Sequence, residues 1–150
     1  MPEVSFYHLT KQPLEKALPG LLERVVEAGH RVLLRVNDAE SARFLDDALW
    51  TYSEGAFLAH GTAKTGHCEA QPIYITDKTD NPNGGDVLVA VNNADTSDAK
   101  DYPRTLYMFD GMSDEVMTGA RARWKQLKSD GFDLKYWQQS PEGKWLKKDL

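Results

Sequence analysis

Arg121, Lys125 and Lys128 stand four and then three residues apart, the spacing that stacks side chains along one face of a helix. A ridge of cations can hold carboxylates: the arginine as a planar fork, the lysines as point charges. Trp124 lies within the ridge, and Phe132 and Trp137 follow soon after it. Cations beside apolar rings suit a short acidic peptide that ends in an apolar side chain and a carboxylate. The same cations also occupy the C-terminal half of their helix, where the macrodipole favours positive charge without any ligand. Val116, Ala120, Trp124 and Leu127 recur at the core-facing interval of that helix.

Other chemistry is weaker. His60, His67, Cys68 and Glu69 are the clustered metal-ligand types, but adjacent His67 and Cys68 do not readily share one ion, and no second cysteine exists. A Cys–His nucleophile there needs an orienting group that sequence cannot show. A small-molecule enzyme using the 57–72 loop is the alternative these residues keep open. The segment His8 to Pro13 contains no glycine, whereas a dinucleotide site needs glycines there so that backbone can approach a pyrophosphate. The Asn81–Gly85 loop lacks the Gly-Lys-Ser/Thr ending of a P-loop and runs into Asp86, whose charge repels phosphate. The expectation is no catalytic residue, no metal and no cofactor.

The elements that must position the ridge read as alternating strands and helices. Val4 to Leu9 is rich in β-formers, and Pro13 to Ala28 carries an apolar stripe at Leu18, Leu21, Leu22, Val25 and Val26. Pro19 within it implies either a kink or a regular helix beginning near that residue. Arg31 to Val36 is a second strand. Asn37, with Glu40 three residues on, opens a helix to about Trp50 that turns Ala42, Leu45, Ala48 and Leu49 inward. Residues 51–71 read as irregular. Ile73 to Thr76, Val87 to Val91 and Leu106 to Phe109 are three more strands, with a polar loop or ragged helix over Asn92 to Pro103. Ser113 or Asp114 starts the ridge helix, which ends at Ser129 before Gly131. Phe132 to Gln138 alternates like a strand, and Pro141 to Gly143 turns into Trp145 and Leu146. Strand and helix in alternation predict a right-handed βαβ crossover. The fold expected is a three-layer α/β/α Rossmann-like sandwich with a mostly parallel sheet and no working nucleotide site.

With 150 residues, one domain spanning 1–150 is expected. No apolar run approaches the roughly 18 residues of a membrane helix. The first residues show neither basic leader nor apolar core, and one cysteine suits a reducing compartment, so a cytoplasmic protein is expected. The net charge of -5 is unevenly spread. Residues 1–112 hold 10 basic and 17 acidic side chains, a net of -7, and residues 113–150 hold 8 and 6, a net of +2. An acidic body opposes general nucleic-acid binding. A direct single-stranded DNA-binding module is a further alternative; the net charge stands against it, and a steep salt dependence would revive it.

Several segments together resemble the chi subunit family of bacterial DNA polymerase III. These are Val-Ser-Phe-Tyr-His-Leu at 4–9, Leu-Asp-Asp-Ala-Leu-Trp at 45–50 and Phe-Leu-Ala-His-Gly at 57–61. Ala-Arg-Ala-Arg-Trp-Lys-Gln-Leu-Lys at 120–128 with Gly131-Phe132, and Tyr-Trp-Gln-Gln at 136–139, complete the pattern. Order and spacing match over nearly the whole chain. The resemblance implies an accessory, non-catalytic subunit of the replicase, touching nucleic acid only indirectly. It implies two partners: the acidic C-terminal tail of single-stranded DNA-binding protein, and the psi subunit or clamp loader. By position, the tail site falls on Arg121, Trp124, Lys125, Lys128 and Phe132. Where some relatives carry a further basic residue one turn earlier, this chain has Met117. The clamp-loader face falls on Trp50 and Phe57.

Overall fold

The computed structural model describes residues 2–51, 61–62, 72–81 and 83–148. Among these, the first strand β1 (Glu3–Leu9) leads into α1 (Leu14–Glu27), β2 (Val32–Arg35) and α2 (Ala39–Thr51). Then come β3 (Gly61–Thr62), β4 (Ile73–Thr76), β5 (Val87–Val91) and a 3₁₀ turn at Ala99–Asp101. β6 (Arg104–Asp110), α3 (Asp114–Ser129), β7 (Asp133–Gln139) and β8 (Trp145–Lys148) finish the order. The strands form one sheet in the order β3-β4-β2-β5-β6-β1-β7-β8, parallel except where β8 returns beside β7.

Alternation along the strands builds two apolar faces. Tyr7, Leu9, Val32, Leu34, Val87, Val89, Leu106 and Met108 point to the side covered by α1 and α2. Val4, Phe6, Ala90, Tyr107 and Phe109 point to the side covered by α3. Leu33, Tyr74 and Leu88 lie beneath Ala99 and Tyr102 of the 3₁₀ segment. The expected three-layer α/β sandwich is what forms.

α1 runs through Pro19 from Leu14, so its regular part starts five residues before the proline. Only one backbone bond is lost so near the N-terminus, and burial of Leu14, Leu18, Leu21 and Leu22 offsets it. The cap of α2 is Asp38, whose Oδ1 accepts from the Ser41 amide at 2.7 Å. Asn37, the expected cap, instead donates through Nδ2 to the Asn92 carbonyl at 2.7 Å.

The polar 92–103 segment is pinned by a buried charge. Arg35 is 0% exposed and donates to both carboxylate oxygens of Asp98, at 2.6 and 2.9 Å, and to the Asp95 carbonyl at 2.9 Å. Asn93 ties α3 to the same region. It has a left-handed φ of 69°, donates to the Val116 carbonyl at 3.2 Å and accepts from the Tyr107 hydroxyl.

Candidate functional site: a cation-rimmed groove on α3

Ser113 begins α3 by accepting from the Val116 amide, and Ala120 and Leu127 bury its inner face. The chain reverses at Gly131, whose φ is 88°, so β7 runs back beneath the helix. The middle of α3 therefore meets the end of β7, and the end of α3 meets its start.

That antiparallel packing decides which aromatic joins the ridge. A groove of about 390 Å³ is lined by His8, Phe109, Met117, Ala120, Arg121, Trp124, Lys125, Tyr136 and Gln138. Of the five residues expected at a tail site, Arg121, Trp124 and Lys125 meet here. Lys128 is exposed one turn further along and does not line the groove. Phe132 lies four residues before Tyr136, about 13 Å along the strand, and lines a separate cavity of about 550 Å³ beside Arg123 and Leu127. Tyr136, Met117 and His8 occupy the place Phe132 was expected to fill.

The floor is aromatic. The Trp124 ring meets Phe6 edge-on at 5.1 Å and Tyr136 edge-on at 5.6 Å. His8 stacks on Phe109 at 5.1 Å, and its Nδ1 lies 2.8 Å from the Tyr136 hydroxyl. Burial holds the His8 imidazole below its ordinary value, and the Arg121 charge pushes it the same way. Burial also raises the Tyr136 phenol, against the pull of Arg121. Both groups are therefore neutral near neutral pH, and the charge at the groove resides on Arg121 and Lys125. Neither cation forms an ion pair among the described residues, and both are exposed. Arg123, two positions from Arg121, is engaged. It donates to the Ala94 carbonyl at 2.9 Å and to Thr96 Oγ1 at 2.5 Å, and lies 5.7 Å from the Tyr107 ring centre.

The place where Rossmann-like folds hold nucleotides is built differently. After β1, the Lys11 and Gln12 amides both donate to Gln139 Oε1, at 2.9 and 3.0 Å, so these donors are already satisfied. The crevice at the C-terminal ends of β2, β5 and β6 is lined by Glu15, Asp38, Glu40 and Asp110, with no basic side chain among its described walls. That charge repels phosphate.

Trp50 lies on α2, but its side chain falls outside the described residues, as do Phe57, His60, His67, Cys68 and Glu69 altogether. Sequence reading missed His8, Tyr136 and Gln138 as groove residues. The signal was present in the alternation of β7, which turns Leu134 and Tyr136 to the face α3 covers.

The class defined by these features is a Rossmann-like α/β sandwich with a cation-rimmed aromatic groove on its last helix. The family follows from comparison: residues 1–135 match the description "DNA polymerase III chi subunit, HolC", and the chain belongs to that family. It is 34% identical over 95 residues to the probable DNA polymerase III subunit chi of Rickettsia prowazekii (strain Madrid E). That alignment spans 63% of this chain and 58% of the relative, a little over half its length. It is 25% identical over 142 residues to DNA polymerase III subunit chi of Escherichia coli (strain K12), spanning 89% of this chain and 96% of that protein. Among the described residues, no helix is long and apolar enough to cross a membrane.

Proposed function

We propose that the chain is a non-catalytic accessory subunit of DNA polymerase III. It captures the acidic C-terminal tail of single-stranded DNA-binding protein in the α3 groove and links it to the clamp loader. The observation that carries this reading is the pair of exposed cations, Arg121 and Lys125, on the rim of a groove floored by Trp124 and Tyr136. Arg121 takes the terminal carboxylate as a fork, and Lys125 meets a neighbouring acid. The tail's last apolar side chain enters against Trp124, Met117 and Tyr136. Burying it contributes about 2 kcal/mol, and each partly desolvated charge-assisted contact about 1.5–3 kcal/mol. Such sums give reversible, salt-sensitive binding, suited to a subunit that must release as the fork advances.

The acidic crevice and the occupied amides after β1 support an adaptor role over nucleotide chemistry. Trp50 and Phe57 are proposed to face the psi subunit or clamp loader, because aromatics are over-represented in interface cores. Calorimetry with a synthetic peptide of the tail tests the reading. Saturable one-to-one binding that weakens with salt is expected, and no heat at millimolar peptide removes the proposal. Phe57→Asp should abolish capture of the clamp-loader partner and leave tail binding intact.

A further inference from the structure

A further cavity lies on the opposite face of the sheet from α3. It has a volume of about 290 Å³ and opens between α1 and the β7–β8 end of the sheet. α1 packs over β2 and β6, whereas β7 and β8 lie on the far side of β1. In that position the sheet presents indoles. The Trp137 ring lies parallel to Tyr7, 6.5 Å centre to centre, and Trp145 meets Tyr7 edge-on at 5.3 Å.

Cations surround these rings. Arg24, from the last turn of α1, and Arg104, from the start of β6, both line the cavity, and no carboxylate lines it among the described residues. Burial raises the Tyr7 phenol against the pull of both guanidinium charges, and Arg104 also shares a hydrogen bond with the Tyr7 side chain. Arg24 has no ion pair among the described residues, and Arg104 has only Glu3, at 4.0 Å. Trp137 sits opposite Lys147 in the antiparallel pair, so Lys147 and Lys135 project on the same face as the two indoles. Glu3, 3.3 Å from Lys135, partly offsets them.

Flat rings in a cavity lined by two arginines match a ligand that has a π-face at one end and delocalised negative charge at the other. We propose that this cavity binds a nucleobase bearing a phosphate, either as a free nucleotide or as one unit of a single DNA strand. The base packs on Trp137 and Trp145, and Arg24 and Arg104 hold the phosphate. The net of -7 over residues 1–112 makes such binding local rather than general, because phosphate is repelled elsewhere on the body. The site is separate from the α3 groove and stands or falls without it.

The test is a titration of the full chain followed through the indole N–H resonances of its tryptophans. The probes are thymidine monophosphate, a short oligothymidylate and, separately, an acidic peptide. Shifts at Trp137 and Trp145 with thymidine monophosphate or the oligonucleotide are expected. Equal affinity per site assigns a free nucleotide, and tighter binding by the oligonucleotide assigns a strand. Arg24→Gln with Arg104→Gln should weaken binding by about tenfold or more, the loss of at least one charge-assisted contact. Arg24→Gln alone, at an exposed helical position, keeps the test open should the double variant unfold. Arg121→Glu should change nothing at these resonances. The proposal is overturned if neither indole moves at millimolar nucleotide. It is equally overturned if the arginine variants bind as well as the parent, or if only the acidic peptide moves Trp137 and Trp145.

Discussion

The hydroxyl of Tyr136 lies 2.8 Å from Nδ1 of His8, and the charge of Arg121 bears on both rings. This pair joins β1 to β7 under α3, and burial keeps both rings uncharged near neutral pH. Its pH consequence follows from the direction of the His8 shift. The folded chain holds His8 below 6.5, chiefly through burial, so between that folded value and 6.5 the unfolded chain binds the proton and the folded chain does not. The contribution is fully present above about pH 6.5 and is lost as pH falls through the folded value. Urea midpoints measured across that window should drop on acidification, and His8→Asn should flatten the drop. A variant with the parental slope would show that His8 is not responsible.

Asp98 neutralises a guanidinium with no access to water. Arg35 is 0% exposed, and Asp98 is the carboxylate that engages it on two nitrogens. Removing Asp98 leaves a buried charge uncompensated, a loss of about 3–5 kcal/mol. Asp98→Ala should therefore unfold at much lower urea, with Asp98→Asn intermediate. Replacing Arg35 by methionine along with Asp98→Ala should recover a large part of the loss, because the charge that needed compensation is gone. Equal stability of the parent and Asp98→Ala rules this account out.

The Arg35–Asp98 pair also marks where sequence reading runs out. β4 and β5 were legible to the residue, because short β-branched runs between polar turns admit few other readings. α3 was legible from its Ser113 cap, its apolar interval and Gly131. β3 has only Gly61 and Thr62 and carries no periodic signal, and β8 is a lysine-bearing edge strand with an exposed leucine. The pairing of residue 35 with residue 98, and of Lys11 and Gln12 with Gln139, depends on sheet order, which local pattern does not encode. For the same reason Arg121, Trp124 and Lys125 could be found from helical spacing, but their aromatic partner could not. Whether Phe132 or Tyr136 faces them depends on the direction in which β7 returns under the helix.

Gly119 lets α3 close on the sheet. A Cβ at this position would stand 2.3 Å from Asn93 Nδ2, the atom that donates to the Val116 carbonyl. Gly119→Ala must displace either Asn93 or the helix, an overpacking cost of about 1–3 kcal/mol that outweighs the gain in helix propensity. Thermal unfolding should show a lowered midpoint, and tail affinity should fall with it because the groove lies between α3 and the strands. An unchanged midpoint would mean that Asn93 yields freely and does not fix the helix.

Arg121 and Arg123 provide the sharpest test of the groove. Two residues apart on one helix, they carry the same charge at nearly the same place, and Lys16→Glu matches the two-unit charge change of Arg121→Glu. Arg123 is committed to the Ala94 carbonyl and Thr96 Oγ1, and its loss leaves those acceptors without their donor. Arg121 is exposed on the groove rim without an ion pair among the described residues. Arg121→Glu should thus weaken tail binding by about tenfold or more, the loss of one charge-assisted contact, with the circular dichroism and urea midpoint of the parent. Arg123→Ala should lower the urea midpoint and, in the fraction that stays folded, leave tail affinity within about twofold, since the side chain does not line the groove. Lys16→Glu, exposed on α1 across the sheet, is the control for charge alone and should change affinity no more than Arg123→Ala does. If Lys16→Glu and Arg121→Glu weaken binding to the same extent, the tail is held by the field of the whole domain and the groove on α3 is not its site.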